Sequence, residues 1–353
     1  MKIQTEPIGS IPRPDYLLEA MKALSEGKMN AMDFASLTER SIKETLKEFE
    51  QTGSPVITDG EQSKPSFATY PIHNIKQLAG DGVVIPFADG HTRQLPRLTS
   101  GPFKFQTYAS GYLERAKQFT HVPIKQAVIS ASALSLLYPQ AGIPNYSQEQ
   151  FIKDLIEESV SDIRRCLNAG AYNVQIDFTE ARLAVKLDPS KGLLKSFVDL
   201  NNKVLDRFTA AERKKIGIHT CPGGDHDSTH SADISYTELL PDLFNLHAGN
   251  FYLEYAGEKD KITTLKAIKE YSKPDQKIFI GVIDVLNPRI ESPMEVRDLV
   301  LQALEFIPLE RLGTTDDCGF SPFADDASTS RETAFAKIKA RIQGTELAEK
   351  KLG

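Results

Sequence analysis

Short runs of β-branched and aromatic residues alternate with longer amphipathic stretches through the chain after residue 120. Continuous short apolar runs are typical of buried strands, and stretches with one apolar face are typical of helices. The predicted strands are residues 124–129, 172–178, 216–221, 250–255, 277–284 and 312–316. The predicted helices are residues 148–168, 192–209, 235–246, 261–271, 293–306 and 330–343, the first with Ser147 as its N-cap. This alternation predicts parallel strands joined by crossover helices.

Two further strands are predicted upstream, at residues 2–8 and 55–59, separated by helices near 16–26 and 33–52. Eight strands, most of them followed by a helix, predict an α/β fold of the single (β/α)₈ TIM-barrel type. A doubly wound sheet is the competing fold. No glycine-rich phosphate loop opens a first βα unit, so the pattern favours the barrel.

The chain is longer than a minimal barrel, and the excess lies between residues 64 and 121. This stretch is rich in proline and glycine and contains alternating segments at 82–87, 92–95 and 103–108. We expect one domain, residues 1–353, in which the segment 64–121 is a β-hairpin insertion after strand two that lies over the barrel mouth.

Composition excludes several classes of protein. A net charge of −6 gives no reason to expect nucleic acid or an anionic membrane as a partner. Three scattered cysteines cannot form a disulfide framework, which indicates a reducing cytoplasm. There is no apolar leader and no run of about 18 apolar residues. We therefore expect a cytoplasmic protein that is neither exported nor membrane-spanning.

Nearly every predicted strand ends in a polar or metal-binding residue. In a barrel, catalytic groups lie at the carboxyl ends of the strands. Those ends carry Gly9-Ser10, Asp59-Gly60-Glu61, Ser130, Asp177, His219-Thr220-Cys221, Glu254, Asp284 and Asp317-Cys318. A purely structural scaffold does not require this density of polar strand ends.

One imidazole, two thiols and one carboxylate among these ends form a tetrahedral zinc set: His219, Cys221, Glu254 and Cys318. The alternative for His219 and Cys221 is a packed strand end, with cysteine acting as a small apolar residue. His226 and His230, in the loop after Cys221, are rival ligands.

Two thiolates and a carboxylate bring about three negative charges to Zn²⁺. Such a site ionises water poorly, but it suits a bound substrate thiol, whose pKa it lowers. Alkylation of a thiol is therefore the expected reaction. Glu254 is the hardest of the four ligands and is expected to yield when the thiol binds.

The chain resembles the catalytic domain of the cobalamin-independent methionine synthase family. The resemblance rests on ordered motifs across most of the chain: Ile8-Gly9-Ser10, Asp59-Gly60-Glu61, Gln175-Ile176-Asp177, His219-Thr220-Cys221, Leu253-Glu254, Gly281-Val282-Ile283-Asp284 and Asp317-Cys318-Gly319. It implies a zinc barrel that methylates the sulfur of homocysteine to give methionine. The amino-terminal barrel of the full-length enzymes is absent.

The resemblance also implies residue roles. His219, Cys221, Glu254 and Cys318 would bind Zn²⁺. Ile8, Gly9 and Ser10 would contact the carboxylate of homocysteine, where exposed backbone N–H groups suit an anion. Glu61 and Asp177 would contact its ammonium group, although each carboxylate could instead cap a neighbouring loop.

Two departures from the family concern the methyl donor. The family's histidine, which protonates the departing folate two residues after the position of Asp284, is replaced by Leu286. The tryptophan that stacks on the pterin has no counterpart, because the chain contains no tryptophan. Asp284 is the candidate substitute acid. A methylfolate, a methylated corrinoid protein or an epoxide each remains open as the donor.

Two alternatives follow. Epoxyalkane:coenzyme M transferase resembles the same short barrel, but its sulfonated thiol would require a basic pocket in place of Glu61 and Asp177. A non-catalytic barrel that binds zinc or senses thiols is the other alternative, and the polar strand ends argue against it.

Overall fold

The computed structural model describes residues 2–353. Its strands are β1 (Gln4–Thr5), β2 (Leu78–Ala79), β3 (Val84–Pro86), β4 (Thr92–Gln94), β5 (Arg97–Leu98), β6 (Gln126–Ile129), β7 (Val174–Asp177), β8 (Ile216–Thr220), β9 (Gly224–Asp225), β10 (Ser228–Thr229), β11 (Asn250–Leu253), β12 (Lys277–Gly281) and β13 (Leu312–Thr315). Its helices are α1 (Asp15–Ser25), α2 (Ala31–Thr52), α3 (Ser110–Ala116), α4 (Ala131–Ser135), α5 (Gln148–Asn168), α6 (Glu180–Leu187), α7 (Gly192–Leu205), α8 (Ala210–Arg213), α9 (Leu240–Leu243), α10 (Lys261–Tyr271), α11 (Pro293–Leu304) and α12 (Arg331–Leu352).

Seven strands form one parallel sheet in the order β1–β13–β12–β11–β8–β7–β6. The sheet curls, and its strand residues are buried except at Gln4 and Lys277, as expected of a parallel sheet covered by helices. All the carboxyl ends of these strands therefore open on the same side of the molecule. The mixed α/β architecture is compatible with a TIM-like barrel.

The predicted strand at 55–59 contributes a single parallel bridge, between Ile57 and Ile124. The backbone N–H of Ile57 donates to Pro123 O at 3.0 Å, next to β6. On the other side, Thr58 Oγ1 donates to Gly9 O at 2.7 Å. Residues around Ile57 thus contact both edges of the sheet, β6 directly and the segment after β1 through a side chain.

Several helix predictions match the observed bounds, including α5 and α10. Ser147 caps α5, because its side chain accepts a hydrogen bond from Gln150 N at 3.1 Å. The continuous helix predicted at 235–246 is wrong: a 3₁₀ turn, Tyr236–Glu238, precedes the short α9. Pro241 has no N–H to donate to the preceding turn, so a new helix begins at Leu240 with Pro241 in its first turn.

The stretch between residues 64 and 121 contains two small antiparallel ladders, β2 with β5 and β3 with β4. Residues 103–108 form no strand, contrary to the alternating pattern. Phe103 and Phe105 are buried, and Phe103 packs on Phe151 of α5. Their N–H groups donate to Tyr146 Oη and to a Glu158 carboxylate oxygen. The alternation therefore reflects an extended segment against a helix.

The ladder of β3 and β4 contacts the loop that follows β8. The N–H of Ala88 donates to Thr229 O at 2.9 Å. Arg93 of β4 pairs with the buried Asp225 of β9 and, at 2.9 Å, with Asp325. These contacts hold the ladder beside the carboxyl ends of the sheet.

Among residues 2–353, no helix combines the length and the apolar character needed to cross a bilayer.

Candidate metal centre and adjoining pocket

Three of the four predicted metal ligands meet at the carboxyl ends of β8 and β13. His219 lies in β8, Cys221 follows that strand directly, and Cys318 lies just beyond β13. One ligand atom from each lies within 4.8 Å of the other two, and all three residues are buried. The two Sγ atoms are 3.2 Å apart. Sulfur and imidazole donors at this spacing suit a soft divalent metal.

The ring of His219 is oriented for metal binding. Its Nδ1 lies 3.3 Å from the carbonyl oxygen of Tyr252, on the neighbouring β11. Its Nε2 is buried and has no hydrogen-bond partner within residues 2–353. A backbone carbonyl that holds one ring nitrogen while the other faces a ligand site is the usual arrangement of a metal-bound histidine. The donor set and this orphaned nitrogen therefore fit a metal ion.

The two thiols share a hydrogen bond and differ in acidity. That bond lowers the pKa of Cys318 well below its usual value, and His219 adds to the effect. The same bond and burial raise the pKa of Cys221. Cys318 is therefore the first of the two to become a thiolate, the form that binds metal.

A small pocket adjoins the three residues. It contains most of the predicted site and several residues from the loops between them. Its lining residues are Ile8, Ser10, Glu61, Phe67, Gln175, Asp177, Thr179, His219, Cys221, Gly223, Gly224, Cys318, Gly319 and Pro322. The structure thus brings the predicted amino-acid pocket and the predicted metal ligands into one cavity.

Asp177 is held at the end of β7 by a buried polar chain. Gln175 Nε2 donates to Asp177 Oδ1 at 2.7 Å, and Gln175 Oε1 accepts from Lys125 Nζ at 2.7 Å. Lys125 fixes which end of the Gln175 amide faces Asp177, because an ammonium group can only donate. Burial raises the pKa of Asp177 to about 6, which His219 partly offsets.

Glu61 lies on the opposite side of the pocket and is paired with Lys64. The Nζ atom of Lys64 is 2.8 Å from Glu61 Oε1, and both side chains are buried. Burial disfavours the charge on Lys64, but Glu61, with Asp59 and Asp177 nearby, outweighs it and raises the pKa of Lys64. Glu61 is therefore not a free carboxylate, and Lys64 also compensates the charge of this side of the pocket.

Ile8, Gly9 and Ser10, the predicted carboxylate-binding residues, lie between the loop after β13 and the segment near Ile57. Ile8 and Ser10 line the pocket, whereas the carbonyl of Gly9 accepts from Thr58. Ser10 O accepts from Phe320 N at 3.0 Å. A Cβ on Gly319 would lie 2.1 Å from Ser10 Oγ, so only glycine fits beside Ser10 at that point.

The two aspartates before Cys318 each hold a neighbouring segment. Asp316 pairs with the buried Arg341 at 2.7 Å and lies 3.4 Å from Ile8 N. Asp317 accepts hydrogen bonds from the N–H groups of Tyr255, Ala256 and Gly257 at 2.6–2.9 Å. The motif thus fixes both the strand that carries Ile8 and the turn after β11.

Glu254, the fourth predicted ligand, lies outside the group of three. Its Oε2 is 2.6 Å from Arg182 Nη1, and the same nitrogen is 2.9 Å from Glu258 Oε1. Burial raises the pKa of Glu254, while Arg182 opposes that shift. Glu254 nevertheless follows β11 where Cys221 follows β8, because Leu253 pairs with Thr220 in the parallel register.

Asp284 lines a different cleft, with Asn287, Arg289 and Glu291. Its Oδ1 accepts from Leu286 N at 3.0 Å. Leu286 itself packs toward the pocket: a Cβ on Gly224 would be 3.5 Å from its Cδ2. Asp284 therefore does not line the pocket that contains the cysteines, whereas Leu286 lies beside Gly224 of its wall.

The two rival histidines are directed elsewhere. His230 is buried, its Nδ1 lies 2.8 Å from Ser231 Oγ, and burial lowers its pKa to about 4. His226 lies in a second group with Asp225 and Asp326, where Arg93 already pairs with Asp225. Neither histidine belongs to the group of His219, Cys221 and Cys318.

Three basic residues of the site were not expected from the sequence: Arg13, Lys64 and Arg182. Arg13 donates to the carbonyls of Glu61, Lys64 and Ser321 at 2.7–3.0 Å and so joins two loops at the pocket. Lys64 and Arg182 each neutralise a predicted functional carboxylate. The sequence contained one indication of these basic residues, namely the excess of acidic residues at strand ends. Buried carboxylates require cationic partners.

A family model described as "Cobalamin-independent synthase, Catalytic domain" matches residues 3–338. Curated relatives include "Methionine synthase" of Pyrococcus horikoshii and of Sulfurisphaera tokodaii. Each is 23% identical to this chain, and each match covers 99% of this chain and 94% of the relative.

Solved structures share the fold. A B12-independent methionine synthase from a Shewanella species, solved in complex with selenomethionine, has a TM-score of 0.78 at 19% identity and covers 100% of this chain and 99% of its own. A putative vitamin-B12 independent methionine synthase from Listeria monocytogenes has a TM-score of 0.73 at 21% identity and covers 98% of each chain. At these identities the likeness concerns the fold.

Proposed function

The chain belongs to the cobalamin-independent methionine synthase family, and we propose that it is a zinc-dependent methyltransferase that methylates the sulfur of homocysteine. The observation that carries this proposal is the buried group of His219, Cys221 and Cys318 in a pocket that also contains Asp177 and Glu61. Sulfur-rich metal ligands and an acidic amino-acid pocket occupy one cavity.

His219, Cys221 and Cys318 would hold Zn²⁺, with Glu254 as the fourth ligand. Zinc bound in this way supplies an electron-rich substrate thiolate at neutral pH. The three side chains themselves are buried, which limits the access of water to the metal site. The new S–CH₃ bond forms as the bond between the methyl group and its donor breaks, and that electron pair stays on the donor.

Asp177 and Glu61 would bind the ammonium group of homocysteine, and the backbone of Ile8, Gly9 and Ser10 would bind its carboxylate. The preorganised chain from Lys125 through Gln175 supports this role, because it leaves Asp177 oriented before any ligand enters. The Shewanella structure in complex with selenomethionine supports a pocket of this amino-acid class in the family.

We further propose that residues 1–353 form one (β/α)₈ barrel, with 55–59 as its second strand and 64–121 as an inserted β-hairpin segment at the mouth. The contacts of Ile57 and Thr58 with both sheet edges support the closure. The contacts of Ala88 and Arg93 with the loop after β8 support the position of the insertion.

We expect free methylfolate to be a slow methyl donor. Faster transfer should require another donor or a partner protein. Transfer of the methyl group from N5 of a methylfolate requires protonation of N5, and a positioned acid contributes about 10²–10⁴-fold. Leu286 cannot supply it, and Asp284 could act only by reaching from its separate cleft. Faster transfer is therefore expected from a methylated corrinoid protein, or from a methylfolate with a partner protein.

The test is a transfer assay with the zinc-loaded chain and homocysteine, which compares methyltetrahydrofolates, methylcobalamin and an epoxide as donors. We expect methionine to form slowly with monoglutamyl methylfolate and faster with another donor. Coenzyme M preferred over homocysteine would identify an epoxide transferase instead. Binding of zinc and homocysteine without transfer from any donor would indicate a non-catalytic barrel.

A further inference from the structure

Arg182 is a buried cation that serves two carboxylates. It lies in α6 and is 2% exposed. Its Nε donates to Ile234 O at 3.0 Å, and its guanidinium carbon lies 5.0 Å from the centre of the Tyr236 ring. Its Nη1 contacts both Glu254 Oε2 at 2.6 Å and Glu258 Oε1 at 2.9 Å. These contacts hold the guanidinium in place. Two carboxylates share its single positive charge.

Glu254 contacts this cation and leaves its strand next to the residues of the metal centre. In the parallel register of β11 and β8, Leu253 pairs with Thr220. The next residues, Glu254 and Cys221, therefore leave neighbouring strands side by side. A cation at the sulfur atoms and the guanidinium of Arg182 would compete for the same carboxylate.

A buried charge that loses its partner is strongly destabilising. Glu258, which is 9% exposed, removes that cost for Arg182. When Glu254 turns toward the metal, Arg182 is still paired with Glu258. When Glu254 leaves the metal, it finds Arg182 within hydrogen-bonding distance. In both positions Arg182 keeps a carboxylate partner.

We infer that Arg182 and Glu258 form an exchange site for Glu254, so that the carboxylate passes from the metal to Arg182 as the substrate thiol binds. Arg182 is therefore a positioning residue. It contacts Glu254 and determines how readily this carboxylate leaves the metal. The inference rests on the proposed function, because it requires a metal at His219, Cys221 and Cys318.

A double-mutant cycle between Arg182 and Glu254 tests the exchange. Arg182→Met, Glu254→Gln and the double variant of the full chain are compared by zinc affinity, from chelator competition, and by homocysteine affinity, from the absorption of the cobalt-substituted protein. Arg182→Met should bind zinc about tenfold more tightly and homocysteine about tenfold more weakly, within the range of coupling energies for contacting residues. In the Glu254→Gln background the same change should have less than about a twofold effect.

The control is Arg207→Met, which removes an arginine of an exposed pair with Glu157 and should alter neither affinity. Equal effects of Arg182→Met in both backgrounds would refute the exchange, because a simple change of electric field does not need Glu254. Unchanged affinities in Arg182→Met would refute it too.

Glu258→Gln gives an independent test that keeps Arg182 and remains usable if Arg182→Met does not fold. With Glu258 neutral, Glu254 is the sole carboxylate on Arg182, so zinc should bind more weakly and homocysteine more tightly. Shifts in the opposite direction, or none, would overturn the exchange. If the parent chain binds no zinc, or binds homocysteine without perturbing the metal, the proposed function itself fails.

Discussion

At the scale of single residues, the metal centre depends on two cysteines that are remote in sequence. Cys221 and Cys318 lie 3.2 Å apart because β8 and β13 belong to the same parallel sheet. We expect about one zinc per chain. Cys221→Ser and Cys318→Ser should each lose most of the metal in elemental analysis, because a neutral hydroxyl is a poor ligand for zinc.

The matched controls are His226→Ala and His230→Ala, which should keep full zinc occupancy since both histidines lie outside the group. Full occupancy in both serine variants would overturn the ligand assignment.

The amino-acid pocket gives a second residue-scale prediction. Asp177→Asn keeps the size of the side chain and its contact with Gln175 but removes the charge that would face the ammonium group. Homocysteine affinity should fall about tenfold or more, since a hydrogen bond to a charged group is worth about 1.5–3 kcal/mol. Isothermal titration measures this, and zinc content should stay unchanged. Parental affinity in the variant would exclude Asp177 from the pocket.

The buried carboxyl group of Glu180 should make the free energy of unfolding depend on pH. Its Oε1 accepts from Ser130 and Ser132, its Oε2 is buried with no partner in the described chain, and burial raises its pKa to about 7. The unfolded pKa is about 4.3. Between these values the folded protein holds a proton that the unfolded chain has lost, so stability falls as the pH rises.

Glu180→Gln should remove this fall. The difference in free energy of unfolding between pH 5 and pH 8, measured by urea denaturation, should change by about 2–3 kcal/mol in favour of pH 8. Glu346→Gln, on the exposed face of α12, is the control and should leave the difference as in the parent. An unchanged pH dependence in Glu180→Gln would show that Glu180 does not titrate in this range.

At the scale of elements, local patterns located most of the sheet and the long helices. Strand ends were predictable because apolar runs stop where the chain turns polar, and parallel strands bring those ends together. The residues that pair with the side chains at these strand ends were not predictable. Arg182 lies in α6, a short helix absent from the predicted elements, and it is 72 residues from Glu254 in sequence. No local pattern records that pairing.

The separate position of Asp284 has a similar cause. The strand predicted at 277–284 ends at Gly281, and the chain then turns so that Asp284 caps Leu286 N in another cleft. A carboxylate close to a strand end does not necessarily face the mouth of the sheet. The side that it faces depends on the turn, which the apolar pattern does not describe.

The elements should persist without metal. The apolar core is contiguous across strands and helices, and its burial stabilises them independently of the ion. We expect chelation to leave far-ultraviolet circular dichroism unchanged while hydrogen exchange increases in the loop after β8. Loss of the helical signal on chelation would show that the metal is required for folding.

At the scale of the whole molecule, the sheet, the insertion and the loops converge on one cavity. The candidate metal ligands lie at the ends of β8 and β13, the ammonium-binding candidate lies in β7, and the covering contacts come from β4. The central claim is that a substrate thiol joins the metal in that cavity.

X-ray absorption at the zinc edge, with and without homocysteine, tests this claim most directly. The zinc-loaded chain is predicted to gain a third sulfur ligand beside Cys221 and Cys318 and to lose an oxygen ligand, while methionine produces no such change. A zinc shell that stays the same when homocysteine is bound would contradict the account.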